Sequence, residues 1–365
     1  MAMAPLATTA QSNAVPSPIG GLNTRDSVDL LPETDAIRLD NFFPARSHVQ
    51  VRNGYDDHVT GLPSSVESLM VYNSGTASTM FAASGTAVYN VTSAGSVGSA
   101  VITSLTNARF QSVNMTTSGG SFLFICNGAD APRHWNGSSW ATPTLGSVTA
   151  ANIINVEVYK ERLFFVLKDS LTYGYLPVNA VAGTVASVNL GSVFSKGGKI
   201  MAIATWTRDG GAGPDDNILF FTDQGEIAMY SGTDPSDATK WGLVGVYTVG
   251  RPIGHRCMLK VGSDCYLVTE NGLLPMTQVL GTGEAAPNVA LSDKISSSYN
   301  SSVVEFKGTF GWQGVVYPKG GYAAVNAPAS TVGDFIQYII NLETGAWSRF
   351  TNQDAYVWAV FNSDL

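Results

Sequence analysis

A short pattern that recurs along the chain constrains its fold more than any other feature. An apolar run is followed by a tight turn containing Gly, Asn or Asp, and then by a second run with aromatic or branched residues, as in Phe122–Cys126, Asn127-Gly128 and His134-Trp135. This unit is typical of a β-hairpin. Six copies align, with anchor residues at Phe81, Leu123, Phe164, Phe220, Leu267 and Ile340.

The spacing of these copies indicates a ring of sheets. The anchors are 42, 41, 56, 47 and 73 residues apart, and most of these intervals are close to the length of one four-stranded propeller blade. A further apolar run precedes each anchor and is predicted to be an innermost strand; these runs are 68–72, 110–115, 154–159, 200–206, 256–261 and 306–312. We therefore predict an all-β fold, a β-propeller of about six four-stranded blades.

Composition agrees with this fold class. Only 13% of the residues are charged, 38 are glycine, and no long segment has apolar residues at helical spacing. We predict two regions, an extended N-terminal arm over residues 1–60 and a propeller over 61–365. The first 18 residues are expected to be disordered or ordered only on contact. Ala355–Phe361 is predicted as another inner strand, so the last blade is either incomplete or closed by another chain segment.

Two wide intervals are predicted to be insertions. Asp209–Asp215 is rich in glycine, and Gly281–Ser302 contains Leu291-Ser-Asp-Lys-Ile295, where Ser292 is expected to cap a short helix. The carboxylates of 209–216 offer oxygen ligands of the kind that Ca²⁺ uses, without the spacing of an EF-hand, so a solvated loop is the favoured interpretation.

Charge and cysteine content exclude several classes. The net charge is −8, and basic residues are scattered singly, which disfavours tight binding of a phosphate backbone but allows a conduit through which DNA slides. Cys126, Cys257 and Cys265 form no Cys-x-x-Cys pair, so buried thiols are expected. No secretory signal or long apolar stretch is present, and a soluble chain made in a cytoplasm is expected.

Catalytic motifs are not found. The four histidines are dispersed, and no nucleophile elbow, zinc-protease or phosphate-loop motif occurs. We predict no enzyme activity, no catalytic, cofactor-binding or metal-binding residues, no cofactor and no small-molecule substrate. Two alternatives remain open. One is a glycan-binding or sialidase-like propeller, since Asn341-Leu-Glu-Thr-Gly-Ala-Trp347 resembles an Asp-box turn, although its arginines would have to converge in the fold. The other is a generic protein-interaction propeller.

The arm does not follow the repeat, and it carries a resemblance. Its segments Gly20-Gly-Leu-Asn23, Leu31–Pro44 and Val49–Tyr55 resemble the opening of the tail nozzle and stopper-like propeller proteins (tail tubular protein B-like) of short-tailed bacteriophages. Leu291–Ile295 and Trp358–Asn362 also match that family. Its members usually continue beyond this last segment with a Leu-Tyr-Phe-Gly-like run that is absent here. The matching positions are Gly20, Gly21, Leu22, Asn23, Pro32, Asp35, Ala36, Leu39, Asn41, Pro44, Val49, Arg52, Gly54 and Tyr55.

The resemblance implies a structural virion protein of the phage tail, assembled in the host cytoplasm. It would form a homo-hexameric ring at the distal end of the tail tube that retains and then guides DNA, without sequence-specific binding. Its partners would be the tail adaptor protein and tail fibre or spike proteins. The arm is then expected to bind a partner through Gly20, Gly21, Leu22, Asn23, Pro32, Asp35, Asn41, Phe42, Phe43, Pro44 and Arg52. The alternative is that the arm closes this chain's own propeller.

Overall fold

The structure is a computed structural model that describes residues 14–209, 214–282 and 290–365. The arm contains short strands only. β1 (Gly21–Leu22) pairs in parallel with β2 (Asp35–Ala36), and β3 (Phe42–Pro44) pairs with β4 (Val49–Val51) in a hairpin. β5 (Val59–Thr60) follows. A 3-10 turn spans Val28–Leu30. Residues 1–13 of the region expected to be disordered lie outside the described residues.

Six antiparallel sheets follow in chain order, and in each of them the strands are paired in the order of the sequence; only the third sheet omits a strand, Gly183–Thr184, between its last two. The first three contain β6 (Val66–Asn73), β7 (Ser78–Ser84) and β8 (Ala87–Asn90); then β10 (Gln111–Thr117), β11 (Gly120–Cys126), β12 (Arg133–Trp135) and β13 (Trp140–Ala141); then β15 (Ile153–Tyr159), β16 (Arg162–Leu167), β17 (Thr172–Tyr175) and β19 (Ala186–Asn189). The connecting strands are β9 (Gly95–Ser96), paired with β5, and β14 (Leu145–Gly146), paired with β18 (Gly183–Thr184).

The last three sheets complete the ring. They contain β20 (Ile200–Asp209), β21 (Pro214–Thr222), β22 (Glu226–Gly232) and β23 (Trp241–Thr248); then β24 (Met258–Val261), β25 (Asp264–Thr269) and β26 (Gly272–Pro275); then β27 (Gln313–Tyr317), β28 (Tyr322–Pro328), β29 (Phe335–Asn341) and β30 (Trp347–Thr351). Two helices, α1 (Met276–Thr282) and α2 (Ser296–Phe306), precede the last sheet, and 3-10 turns span Ala150–Asn152 and Asp293–Ile295. Among the described residues, no helix is long and apolar enough to span a membrane.

The sheets form a β-propeller. The first strands of all six sheets line one cavity, so they are the innermost strands. Successive sheets share apolar clusters, for instance Phe81 with Leu123, Phe124 with Phe165, and Phe164 with Phe220. These rings are fully buried, and face-to-face packing of both sides of each sheet supplies most of the hydrophobic stabilisation.

Several predictions for individual elements are corrected. The predicted fold class, an all-β propeller, is confirmed, but two of the six described sheets have three strands where four were predicted. The run 306–312 is the end of α2 and a loop, not an inner strand. The helix expected after Ser292 exists, but Ser292 does not cap it, because its hydroxyl accepts a hydrogen bond from the Leu273 N–H instead.

The ring closes without a further strand. Ala355–Phe361 was predicted as an inner strand, but its only bridge is an isolated one between Phe361 and Asp364. The segment packs between the last sheet, through Trp358, and the first sheet, through Phe361. Side-chain burial therefore joins the two ends of the ring at this point, where a strand ladder was expected.

Candidate functional site

The arm lies along the outer strand of the last sheet. Asp40 and Arg349 form a parallel bridge, the Asn41 N–H donates to the Arg349 carbonyl at 2.7 Å, and the Arg349 N–H donates to the Leu39 carbonyl at 3.0 Å. Because β30 is the outermost strand, its unpaired edge would otherwise face solvent. The arm thus extends the last sheet of its own chain; the contacts between residues 20–52 and this sheet are called the arm seam below.

Asn41 is the most connected residue of the arm seam. Its backbone is left-handed, with φ of 60°, a conformation that Asn adopts more readily than most residues. Its amide group donates to the Thr351 hydroxyl at 2.9 Å and accepts from the Thr351 N–H at 2.9 Å and from Arg52 Nε at 2.8 Å. One side chain therefore joins both arm strands to the sheet.

An ion pair between Asp40 and Arg349 reinforces this contact. Arg349 donates to both carboxylate oxygens of Asp40, at 2.7 and 3.1 Å, and Arg38 donates to the same group at 2.6 Å. Burial alone would raise the pKa of Asp40, but the hydrogen bonds from Arg349 and Arg38 hold that pKa below its ordinary value. The same pair raises the pKa of Arg349.

Apolar contacts anchor the start of the arm. Leu22 and Leu39 are buried in the same cluster as Trp347, which is 1% exposed. Gly21 has a φ of 85°, and a Cβ there would stand 2.5 Å from the Trp347 carbonyl oxygen. Only glycine fits this close approach. The Trp347 indole N–H donates to the Leu291 carbonyl at 2.9 Å.

Asp35 connects the arm to the segment 291–295. Lys294 Nζ donates to the Asp35 carboxylate at 2.8 Å and to the Gly20 carbonyl at 2.7 Å, and the buried Asn23 amide donates to the same carboxylate at 2.9 Å. Pro32 opens the turn that leads to this site, since its carbonyl accepts from the Asp35 N–H at 2.9 Å. Two segments quoted for the phage resemblance are therefore in direct contact.

The two adjacent phenylalanines of the arm differ in their surroundings. The Phe43 ring packs on Tyr322 of the last sheet, 5.9 Å between centroids, whereas Phe42 is 40% exposed and pairs across the hairpin with exposed Val51. Pro44 is buried and accepts a hydrogen bond from the Asn341 amide at 2.9 Å. The structure thus places most of the predicted arm residues against this chain's own last sheet, where they extend its outer edge and do not close the ring. Binding to a partner stays a prediction.

The residues of the last sheet that bind the arm were not predicted to do so. Asn341, Trp347 and Arg349 hold the arm, but sequence reasoning treated the first two only as a turn resembling an Asp-box. The sequence pattern does correspond to such a turn. The Asn341 side-chain oxygen accepts from the N–H groups of Glu343 and Thr344, and the buried Trp347 closes the turn. In this chain the turn is structural and presents Asn341 to the arm.

The central cavity is small and polar at several points. Its volume is about 270 Å³, room for roughly nine water molecules at about 30 Å³ each. Lys260 donates to the Thr205 hydroxyl at 2.6 Å, and burial raises the pKa of the half-buried Glu157 despite the nearby Lys260. His255 Nδ1 carries its hydrogen, because it bonds to the Met201 carbonyl at 2.6 Å, and burial lowers the pKa of His255.

The arginines, cysteines and loop carboxylates that were considered for other kinds of site can also be located in the structure. Three of the chain's arginines, which a glycan site would require to converge, have separate partners: Arg109 pairs with Glu67, Arg162 with Asp234 and Arg251 with Gln224. All three cysteines are buried thiols, and burial raises their pKa values. No cluster of metal-binding side chains occurs within residues 14–209, 214–282 and 290–365. Residues 210–213 of the loop considered for calcium lie outside that part.

Comparisons with known proteins give distant structural likenesses. No protein-family model and no curated protein matches the chain. Similar solved structures include BBS1N in complex with ARL6DN, soaked with lead, at 10% identity and a TM-score of 0.41, covering 59% of this chain and 66% of that chain. They also include a quinonprotein alcohol dehydrogenase-like protein from Bacteroides thetaiotaomicron, at 12% identity and a TM-score of 0.44, covering 78% and 66%. This chain spans just under two thirds of either structure, and it is a β-propeller by its own sheet topology.

Proposed function

We propose that this chain is a structural virion protein, the nozzle of a short phage tail. Subunits form a ring, of six copies by the family's pattern, at the distal end of the tail tube and retain the DNA until ejection. The adaptor protein binds on one side and fibre or spike proteins bind around the ring. The chain is not an enzyme in this proposal, and it acts in the virion.

One observation carries the proposal. Three separate segments match the phage family, 20–55, 291–295 and 358–362, and they meet around the last sheet. Lys294 bonds to Asp35, and Arg52 and Trp358 both line a cavity beside the arm that is separate from the central cavity. These segments are far apart in sequence, yet they resemble one family and form one structural unit. Their joint resemblance therefore supports a shared structural role over a chance match.

The route of the DNA follows from size and charge. The propeller's own central cavity has a volume of about 270 Å³, far too small for a DNA duplex, so in this proposal the DNA passes along the axis between subunits and not through one propeller. A net charge of −8 disfavours sticking of the phosphate backbone to the wall of such a channel. Rigid propellers packed around the axis would resist pressure, and the channel would open by rotation of whole subunits or by loop movement.

A ring with cyclic symmetry is the feature to test. The purified chain would be studied alone and with the tail adaptor by light scattering after size exclusion, and by negative-stain imaging. We expect closed rings on the adaptor and localisation of the protein at the tail tip of intact particles. A chain that stays monomeric with the adaptor and is absent from purified particles would refute the proposal.

A monomeric protein-interaction propeller is the second candidate. The arm already binds its own last sheet through Asn41 and Arg349, so the subunit does not need a neighbour to satisfy that edge. The same light-scattering experiment separates the two, because this candidate predicts a monomer that binds partners one to one. The glycan-active alternative would require cleavage or binding of a sialylated or cell-wall glycan.

A further inference from the structure

A further cavity, separate from the central cavity and from the one beside the arm, lies at the end of the ring where the inner strands begin. It has a volume of about 320 Å³ and is bordered by the loop before β10, the loop before β24 and the loop after α2. Its polar and aromatic lining includes Arg109, His255, Arg256, Lys307, Phe310 and Trp312.

The cavity is positively charged in an acidic protein. Arg109, Arg256 and Lys307 line it, and none of its described lining residues is Asp or Glu. Glu67 and Glu270, which lie outside the lining, pair with Arg109 and Lys307, so the charge of Arg256 is the one without an ion pair. The whole chain has 20 basic against 28 acidic residues, so this lining departs from the rest of the surface. A concave site lined by one sign of charge concentrates ions of the opposite sign.

Among the three cations of this lining, Arg256 is the one whose charge is not paired with a carboxylate. Its Nη2 donates to the carbonyls of Glu67 and Phe110 and to the Ser68 hydroxyl, at 2.9, 3.0 and 2.7 Å, all neutral acceptors. Its Nη1 is buried without a hydrogen-bond partner. Burial lowers the pKa of Arg256 to about 10, Glu67 opposes this shift and Arg109 adds to it. A buried cation lacking a counterion is costly.

Phe310 holds two guanidinium groups side by side. The guanidinium carbon of Arg109 lies 4.4 Å from the ring centroid and that of Arg256 lies 5.3 Å from it. Cation–π attraction favours each contact, but it brings like charges together. The two guanidinium groups share one nearby carboxylate, that of Glu67, and it pairs with Arg109 at 3.1 Å.

We propose that this cavity is a binding site for a carboxylate, held by Arg109 and Arg256 against the ring of Phe310. A planar carboxylate matches the paired donors of a guanidinium, and it supplies the missing negative charge. The carboxylate belongs either to a small free acid or to an acidic side chain that a partner protein inserts into the mouth of the ring. The site is a ligand site, and it does not depend on the proposed nozzle function.

The test is a titration of the full chain with malonate at constant ionic strength. Tryptophan fluorescence, to which Trp312 in the cavity lining contributes as one of the chain's seven tryptophans, and the Tm both report binding. Malonamide, uncharged and similar in shape, and sodium chloride are the ligand controls. A short peptide of three glutamates replaces malonate in a second arm; peptide binding that the same variants weaken assigns the carboxylate to a partner, and response to malonate alone assigns it to a free acid.

Arg109→Gln is the main variant, because the Arg109 side chain is 51% exposed and its loss should leave the fold intact. We expect its affinity for malonate to fall at least tenfold, and that of Arg256→Gln to fall further if its near-ultraviolet circular dichroism is native. Arg133→Gln, on β12 and outside the cavity lining, should bind as the unchanged chain does. Equal responses to chloride, or full binding by Arg109→Gln, would mean an adventitious ion only and overturn the proposal.

Discussion

Gly21 lies where the arm comes closest to the last sheet. Its positive φ is compatible with glycine at little cost, and its missing side chain leaves room for the backbone of Trp347. The resemblance to the phage family included this glycine, but nothing in the local sequence indicated which surface it would approach. The reason for the residue is a contact with a position more than three hundred residues away.

Gly21→Ala should therefore destabilise the protein more than backbone strain alone predicts. Strain at a positive φ costs about 1–2 kcal/mol, and the clash with the Trp347 backbone should bring the total to about 3 kcal/mol or more. Gly75→Ala is the matched control, since Gly75 has a φ of 82° and nothing within 4 Å of its Cβ position. Urea unfolding of both variants checks this; equal losses would show that the close approach does not matter.

Asp40 gives the arm seam a dependence on pH. Its folded pKa is lowered, so the stability it contributes is present above its unfolded pKa of about 3.9 and is lost as the pH falls through the folded value. Asp40→Asn should cost about 1–2 kcal/mol at pH 7, and the cost should be smaller at about pH 3, since the carboxylate is progressively protonated as the pH approaches its lowered pKa. Unfolding at both pH values is the measurement, with exposed Asp57→Asn as the control. A cost independent of pH would contradict the assignment.

Elements differed in how readily the sequence predicted them. Five hairpins were placed on the second and third strands of their sheets, because glycine or asparagine turns separate two strongly apolar runs, as at Asn127-Gly128. In the last sheet, the anchor Ile340 lies on the third strand, β29, so the interval of 73 residues is long by one strand. Its true second strand, β28, is rich in alanine and gave a weak signal.

The arm seam and the full length of α2 could not be predicted from the sequence, for physical reasons. α2 reads SSSYNSSVVEF, and serine has a low helix propensity, so tertiary burial of Tyr299 and Val303 must stabilise it. The arm's strands have two or three residues each, too few for a period to be recognised. Its position depends on side-chain bonds to β30, which carry no local signature.

Asn41→Ala should loosen the arm along β30. The change removes the amide's three hydrogen bonds and places alanine at a φ of 60°. We expect hydrogen exchange of the Thr351 and Arg349 amides to accelerate at least tenfold, while β22 is unaffected. Asn179→Ala is the control, because Asn179 has the same φ in an exposed turn and lies far from the arm. Unchanged protection at Thr351 would mean that the arm is held mainly by its leucines.

On the scale of the whole molecule, the segment 355–365 closes the ring by side-chain packing and hydrogen bonds, without a strand ladder. Phe361 contacts the apolar face of the first sheet near Met80 and Ala82, and Trp358 bonds to Gln313 and Asn326 of the last sheet. Val357 reaches the central cavity. No strand pairing joins the first and last sheets at this seam among the described residues, so its stability depends on a few large side chains.

Phe361→Ala should weaken the seam selectively. Loss of a partly buried phenylalanine costs about 2–3 kcal/mol, and the first sheet should then exchange its amide hydrogens faster than the third. Phe42→Ala, which removes a 40% exposed ring from the arm, is the control and should change stability by less than about 1 kcal/mol. Uniform acceleration in all sheets would indicate that the ring opens only by global unfolding.

The distance along the chain between Asp40 and Arg349 also bears on how the protein is made. These two partners are 309 residues apart, and at a synthesis rate of about 5–20 residues per second the arm waits roughly 15–60 s for its sheet to emerge. During that time Leu22 and Leu39 have no native surface to cover. We therefore expect the arm to reach its sheet only after β30 has been made, as one of the last steps of folding.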